Sequence, residues 1–230
     1  MRRWTGLLLV VLALAVAAGT GLPTWSSARE AADHPVTAAD LARARADLAA
    51  LVVQGRAPLT GYDRSAFGTP WADVDGNGCG TRDDVLARDL RAPRIDPADG
   101  CTVLSGTLLD PYTGESIAFR RGPDSAEVQV DHVVALADAW QKGAQGWSEE
   151  RRERFANDPA NLLAVDGDAN QRKGAGDAAT WLPPRTGYRC AYVARQVRVK
   201  AAYGLAVTAA ERDALARWLD RCVVVGAPEG

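Results

Sequence analysis

Between Val128 and Trp140 the hydrophobic period of the chain changes, and the change falls on a pair of chemically active residues. Val128 and Val130 flank polar Gln129 with the two-residue alternation of a half-buried strand. Leu136, Ala139 and Trp140 then recur at helical spacing. The junction carries Asp131 followed by His132, one of only two histidines in 230 residues. Neighbouring strand residues point to opposite faces, so both side chains can address one substrate only where the strand stops. The spacing predicts a helix that begins at once and supplies that break.

The N-terminus narrows the cellular setting. Two arginines precede an apolar run from Leu7 to Ala18, and Gly19, Thr20, Gly21 and Pro23 break it. The run is short for a membrane span, and Ser26-Ser27-Ala28 resembles a cleavage site. Residues 1–28 are therefore expected to be a signal peptide, 29–36 a flexible mature N-terminus, and 37–230 one domain. The mature form is expected to be secreted, outside any membrane, and monomeric. A net charge of −2 argues against a protein that coats nucleic acid through bulk positive charge, though not against a local basic cleft. The positive charge is almost all arginine; the lysines are Lys142, Lys173 and Lys200.

Four cysteines in an exported chain predict two disulfides, with three possible pairings. Residues 188–203 read as a helix ended by Gly204, and Thr208 with Glu211 as a capping box that opens a second helix reaching Cys222. Cys190 lies about as far before the turn as Cys222 lies after it, so an antiparallel helix pair brings them level. This favours Cys190–Cys222 and leaves Cys79–Cys101.

Thr37 and Asp40 cap a helix expected to run to about Val53, and another spans Thr81 to about Leu90. Strand candidates are 101–105, 106–109 and 117–120. Ser148 caps a further helix, Asn161 to Val165 reads as a buried strand, and Asp166 to Gly174 as a turn entering a short helix that places Asn170 near its start. The fold class is α+β, without the regular alternation of a parallel sheet.

The residues around the junction suit phosphodiester hydrolysis. His132 can serve as a base near neutral pH. Oxygen donors from Asp131 and Asn170 suit a hard cation, Mg²⁺ or Mn²⁺, better than zinc. Lys173 lies three residues beyond Asn170 on the same helical face. With Arg172 it is a candidate contact to substrate phosphate.

VDHVVAL, NDPANLLAV and ANQRKG, with WLPP downstream, resemble the HNH endonucleases of the ββα-metal fold. The similarity is to the branch found as the nuclease domain of GmrSD-type restriction systems and in exported bacterial proteins. It covers a motif core of about 127–184. DVDGNGCGTRDDVLARDL also looks like the segment that precedes the motif in exported members. The resemblance implies a ββα-metal finger embedded in a mostly helical single domain with short strands. It implies Asp131 and Asn170 as metal ligands, His132 as general base, and Asn161 as the residue that holds the loop carrying the base. Arg82 matches an arginine that recurs in exported relatives and is a further candidate for phosphate. The implied substrate is nucleic acid, with DNA favoured, and little sequence specificity is expected because the sequence shows no base-reading element. The residues also admit a ribonuclease on the same fold, or a non-catalytic extracellular binding module stabilised by disulfides.

Asp73, Asp75, Asn77 and Asp84 have the spacing of a calcium loop, so a structural Ca²⁺ site is also an expectation. Asp in place of Glu at the twelfth position weakens that reading, and an Asp/Gly turn before a helix explains the same residues.

Overall fold

The computed structural model describes residues 33–222. The expected signal peptide and the start of the mature N-terminus lie outside the described residues. Helix α1, Ala38–Ala50, opens with a capping box: the Thr37 hydroxyl accepts from the Asp40 N–H, and the Asp40 carboxylate accepts from the Thr37 N–H. It stops short of Val53 because Leu51 is already extended, and Val53 forms a parallel bridge to Val207.

Helix α2, Thr81–Asp89, runs directly into β1, Leu90–Ile95. With β2, Val103–Leu109, and β3, Ser116–Arg120, this strand builds an antiparallel sheet in the order β1-β2-β3. β1 carries no clear strand signal. Pro93 lies inside it, Ala92 takes a left-handed φ of 48°, and its pairing to β2 shifts register at that point. The two strand candidates at 101–105 and 106–109 are one strand. Gly106 continues it; a Cβ there would sit 3.0 Å from the Leu90 Cβ, so the close approach of β1 favours glycine.

The second sheet positions the chemistry. β4, Val128–His132, pairs antiparallel with β5, Leu162–Asp166, with Asp131 opposite Leu163 and His132 opposite Leu162. Its buried face joins α2 and the first sheet in an apolar cluster containing Val85, Leu86, Phe119, Val130 and Ala164. Asp166 caps α5, Gly167–Lys173, immediately after β5. Gly167 allows that tight entry, because a Cβ would stand 2.2 Å from the Ala126 carbonyl oxygen. Asn170 therefore lies in the middle of α5, not at its start. Helix α3, Leu136–Gln141, follows β4 only after the loop 133–135, where an immediate start was expected. Helix α4, Glu149–Ala156, is capped by Ser148.

Helices α6, Arg189–Tyr203, and α7, Ala209–Arg221, meet across the turn at Gly204, whose φ is 61°. Disulfides join Cys190 to Cys222 and Cys79 to Cys101, with Cα separations of 5.6 and 5.2 Å. Thr208 caps α7 through the Glu211 N–H, but the Glu211 side chain turns inward instead of closing the box. There it meets Lys142 at 2.6 Å and Lys200 at 2.8 Å. Buried Asp138 and Asp177 extend the set and Arg56 closes it from the solvent side, so three cations face three carboxylates.

Candidate active site

Asp131 and His132 are the last two residues of β4, and both line one cavity of about 280 Å³. Arg64, Ala135, Asn170 and Gly174 complete much of its wall. A larger cavity, about 510 Å³, lies between α1, α2 and α6 and contains none of these groups.

The Asp131 carboxylate is 5% exposed and held from two sides. Tyr112 donates its hydroxyl to Oδ2 at 2.6 Å, and Lys173 donates Nζ to Oδ1 at 2.8 Å. Burial first, then the charge of Asp131, pushes the Tyr112 pKa well above its ordinary value, so the phenol stays a donor. Lys173 also donates to the His132 carbonyl at 2.8 Å and thereby ties the ends of β4 and α5 together.

The imidazole of His132 lies between Ala156 and Trp71. Nε2 is 2.7 Å from the Ala156 carbonyl oxygen, which can only accept. Nε2 therefore carries the hydrogen, and Nδ1 keeps its lone pair. Burial lowers the pKa of this ring to about 3; the bond to Ala156 opposes the shift, while the charges of Arg64 and Lys173 add to it. The neutral form is the one present near neutrality. Trp71 stacks on the ring with centroids 6.2 Å apart and planes within 19°. Its φ of 59° is left-handed, an unfavourable conformation for a bulky residue. Asn157 brackets it, accepting from the Ala72 N–H at 3.1 Å and donating to the Thr69 carbonyl at 3.1 Å.

Asn161 is fully buried and faces the loop after β4. Its Oδ1 accepts from the Val134 N–H at 2.8 Å, its Nδ2 donates to the Val134 carbonyl at 3.2 Å, and its own carbonyl accepts from the Val133 N–H at 2.7 Å. Gln196 on α6 adds a bond from Nε2 to the Val133 carbonyl at 2.8 Å. Four bonds thus fix the two residues after His132.

Asn170 uses Nδ2 to reach Gln129 Oε1 at 2.9 Å, which orients its Oδ1 as a remaining acceptor. A carboxylate has about four lone-pair positions, and two bonds to Asp131 leave capacity on its oxygens. Asp131 and Asn170 therefore suit a hard cation that keeps most of its water. Among the described residues, no three His, Cys, Asp or Glu side chains converge to hold a metal ion.

Other expected contacts sit differently. Lys173, expected to reach for phosphate, is 3% exposed and engaged with Asp131. Arg172 is exposed on the last turn of α5 and lies outside the cavity wall. Arg82 is partly buried, with its guanidinium 5.9 Å from the Phe119 ring centroid and outside that wall. His34 packs on Tyr188 at 4.6 Å, away from the cavity. In the 73–84 loop the oxygens turn onto their own backbone. Asp73 accepts from the Gly76, Asn77 and Gly78 N–H groups, Asp75 accepts from the Asn77 N–H, and Asn77 donates to Asp84. Most of these are bonds of an Asp/Gly turn. Arg64, Trp71 and Tyr112 were not singled out from sequence. The one local signal for Arg64 is Asp63 before a short run containing Phe67, a cap that opens a helical turn.

Residues 80–218 match the family described as "GmrSD restriction endonucleases, C-terminal domain". A protein from Arthroderma benhamiae described as an "Uncharacterized secreted protein" is 37% identical over 177 residues, covering 76% of this chain and 82% of that one. No solved structure matches the chain. The chain belongs to the family of GmrSD restriction endonuclease C-terminal domains, a nuclease-type class.

Proposed function

We propose that this protein is an exported, metal-dependent endonuclease of HNH type, in which β4, β5 and α5 form the ββα-metal finger. The observation that carries the reading is a neutral His132 with Nδ1 free, sharing one cavity with Asp131 and Asn170. The substrate is nucleic acid, with DNA favoured and little sequence preference.

His132 Nδ1 takes a proton from water as the water oxygen attacks phosphorus, and the bond from phosphorus to the leaving oxygen breaks. The bond to Ala156 holds the ring in the tautomer this step needs. Asn161 holds the loop behind the ring. Tyr112 and Lys173 hold the Asp131 carboxylate in place. Asp131 and Asn170 would hold a bound Mg²⁺ or Mn²⁺, which neutralises charge on the phosphate oxygens. Export rests on the N-terminal signal and on the secreted relative. No helix among the described residues is long and apolar enough to cross a membrane.

Plasmid DNA and RNA incubated with the protein in Mg²⁺, Mn²⁺ or EDTA test this. Nicking of plasmid by the wild type with either metal, lost in EDTA and slowed about 10²–10⁴-fold by His132→Ala, is expected. Cleavage confined to RNA makes the protein a ribonuclease on the same fold. Absence of cleavage with both substrates rejects the enzyme and leaves the binding module. Wild-type rates in His132→Ala reject His132 as the base.

A further inference from the structure

Arg64 lies outside the segment that matches the family and outside the motif core, yet it lines the same cavity as Asp131, His132 and Asn170. It also lines the smaller cavity of about 70 Å³ on the Trp71 side of the His132 ring, so it stands where the two meet. Among the described residues it donates no hydrogen bond and meets no carboxylate in an ion pair. Arg64 is exposed, so its guanidinium is open to a substrate that enters beside the imidazole and the two oxygen donors.

Its mount is rigid. Arg64 opens a 3₁₀ turn, Arg64–Phe67, capped by Asp63, whose Oδ1 accepts from the Ser65 N–H at 2.7 Å. Phe67 anchors the turn in the core, 2% exposed, with its ring 6.1 Å from Phe155 and 6.3 Å from Trp140. Arg152 on α4 pins it further, donating Nε to the Ala66 carbonyl at 2.7 Å. A guanidinium on a fixed support presents a planar fork suited to two oxygens of one phosphate. Lys173 is engaged with Asp131, and Arg82 and Arg172 lie off the cavity wall, so Arg64 is the arginine or lysine on that wall.

We propose that Arg64, carried by the segment upstream of the family domain, grips the scissile phosphate of the nucleic-acid backbone. This rests on the nuclease reading. Arg64 is a substrate-binding residue, and the family segment 80–218 alone lacks this part of the site.

The test compares wild type, Arg64→Ala and Arg64→Lys, with Arg212→Ala as a charge-matched surface control. Cleavage kinetics are read with Mn²⁺, and binding of a fluorescent duplex is read by anisotropy in EDTA across a salt series. Arg64→Ala is expected to lower kcat/KM by about 10²-fold and to reduce the salt slope of binding by about one. Arg64→Lys should fall between, and melting temperatures should be unchanged because the side chain has no protein partner. Wild-type kcat/KM and salt slope in Arg64→Ala, with His132→Ala inactive, overturn the Arg64 role and leave the nuclease standing. A wild type that neither cuts nor binds overturns both. An equal loss in Arg212→Ala also overturns the proposal, because the effect then belongs to net charge.

Discussion

The Lys173 ammonium stands 2.8 Å from Asp131 Oδ1, and neither side chain is more than 6% exposed. A lysine at the end of a short helix in a basic-looking ANQRKG stretch reads as a surface cation. Here it is a buried strut between α5 and the last two residues of β4, bonded to the Asp131 side chain and the His132 carbonyl. The other two lysines are also buried, each between Asp138 and Glu211. Every lysine of the chain therefore serves the interior.

Removing one partner of such a pair leaves the other charge buried and uncompensated, which costs about 3–5 kcal/mol. Lys173→Ala should lower the melting temperature by about 6–20 °C and reduce cleavage, because Asp131 loses one of its two fixed donors. Differential scanning calorimetry checks this. A variant that melts within about 2 °C of wild type would show that Lys173 is not a strut.

Asn161→Ala removes both side-chain bonds to Val134 and strands a buried N–H and a buried carbonyl. The expected loss is about 2–4 kcal/mol of stability, together with a fall in kcat, because the loop behind His132 is freed. Asn161→Asp keeps the acceptor for the Val134 N–H but cannot donate to its carbonyl, so it should lie between. Urea titrations and initial rates on the same samples check the order. Equal behaviour of the two variants would mean that the bond to the Val134 N–H does not matter.

Local patterns in the chain foretell local structure well, for physical reasons. The Asp40–Thr37 box, the Ser148 cap and the Gly204 turn are settled by neighbours three or four residues apart. The Cys190–Cys222 bond follows from helix rise and one turn. Asp131, His132, Asn161 and Asn170 carry a spaced pattern, and three of them share a cavity while Asn161 braces behind it. What the chain conceals depends on partners far apart. β1 is hidden because Pro93 and two arginines break its alternation, and it exists through pairing with β2. Glu211 looks like half of a capping box, but burial beside two lysines outweighs a bond at the helix end. The Asp63 cap marks a turn at Arg64 but not its destination, which is set by the packing of Phe67 against α3 and α4.

Stability should fall with acid in two windows. The folded pKa values of His132 and His34 lie below 6.5, mainly through burial, so the unfolded chain takes up protons first as pH drops below about 6.5. Burial alone would raise the Asp138 and Asp177 carboxyls, but Lys200 and Lys142 outweigh it at Asp138, and Lys142 and Arg56 outweigh it at Asp177. Both values are depressed below 3.8, so the stability from these pairs is complete above that pH and lost as pH falls through the folded values. Asp138→Asn should melt lower than wild type at neutral pH, and the gap should narrow below about pH 4. Melting curves across an acid series check this. A gap that stays constant to the acid end would remove Asp138 from the account.

The roles of Asp131, Asn170 and His132 can be separated by binding as well as by turnover. A ligand that binds only the folded protein stabilises it by about 2.7 kcal/mol at one hundred times its Kd. Mn²⁺ should therefore raise the melting temperature of the wild type, and of His132→Ala by a similar amount, because the imidazole is not proposed as a ligand. Asp131→Asn keeps the shape of the side chain but lowers its charge, so its Mn²⁺ response should move to higher concentration. Excess Mn²⁺ should then restore part of its cleavage. Asn170→Ala should lose the response in the same way, without the penalty of stranding Lys173. Excess Mn²⁺ should not restore His132→Ala, since the missing group is a base. Thermal shift and plasmid cleavage across one Mn²⁺ titration read all four proteins together. If Asp131→Asn and Asn170→Ala respond to Mn²⁺ as the wild type does, the cation is held elsewhere and the ligand assignment fails, whatever becomes of His132.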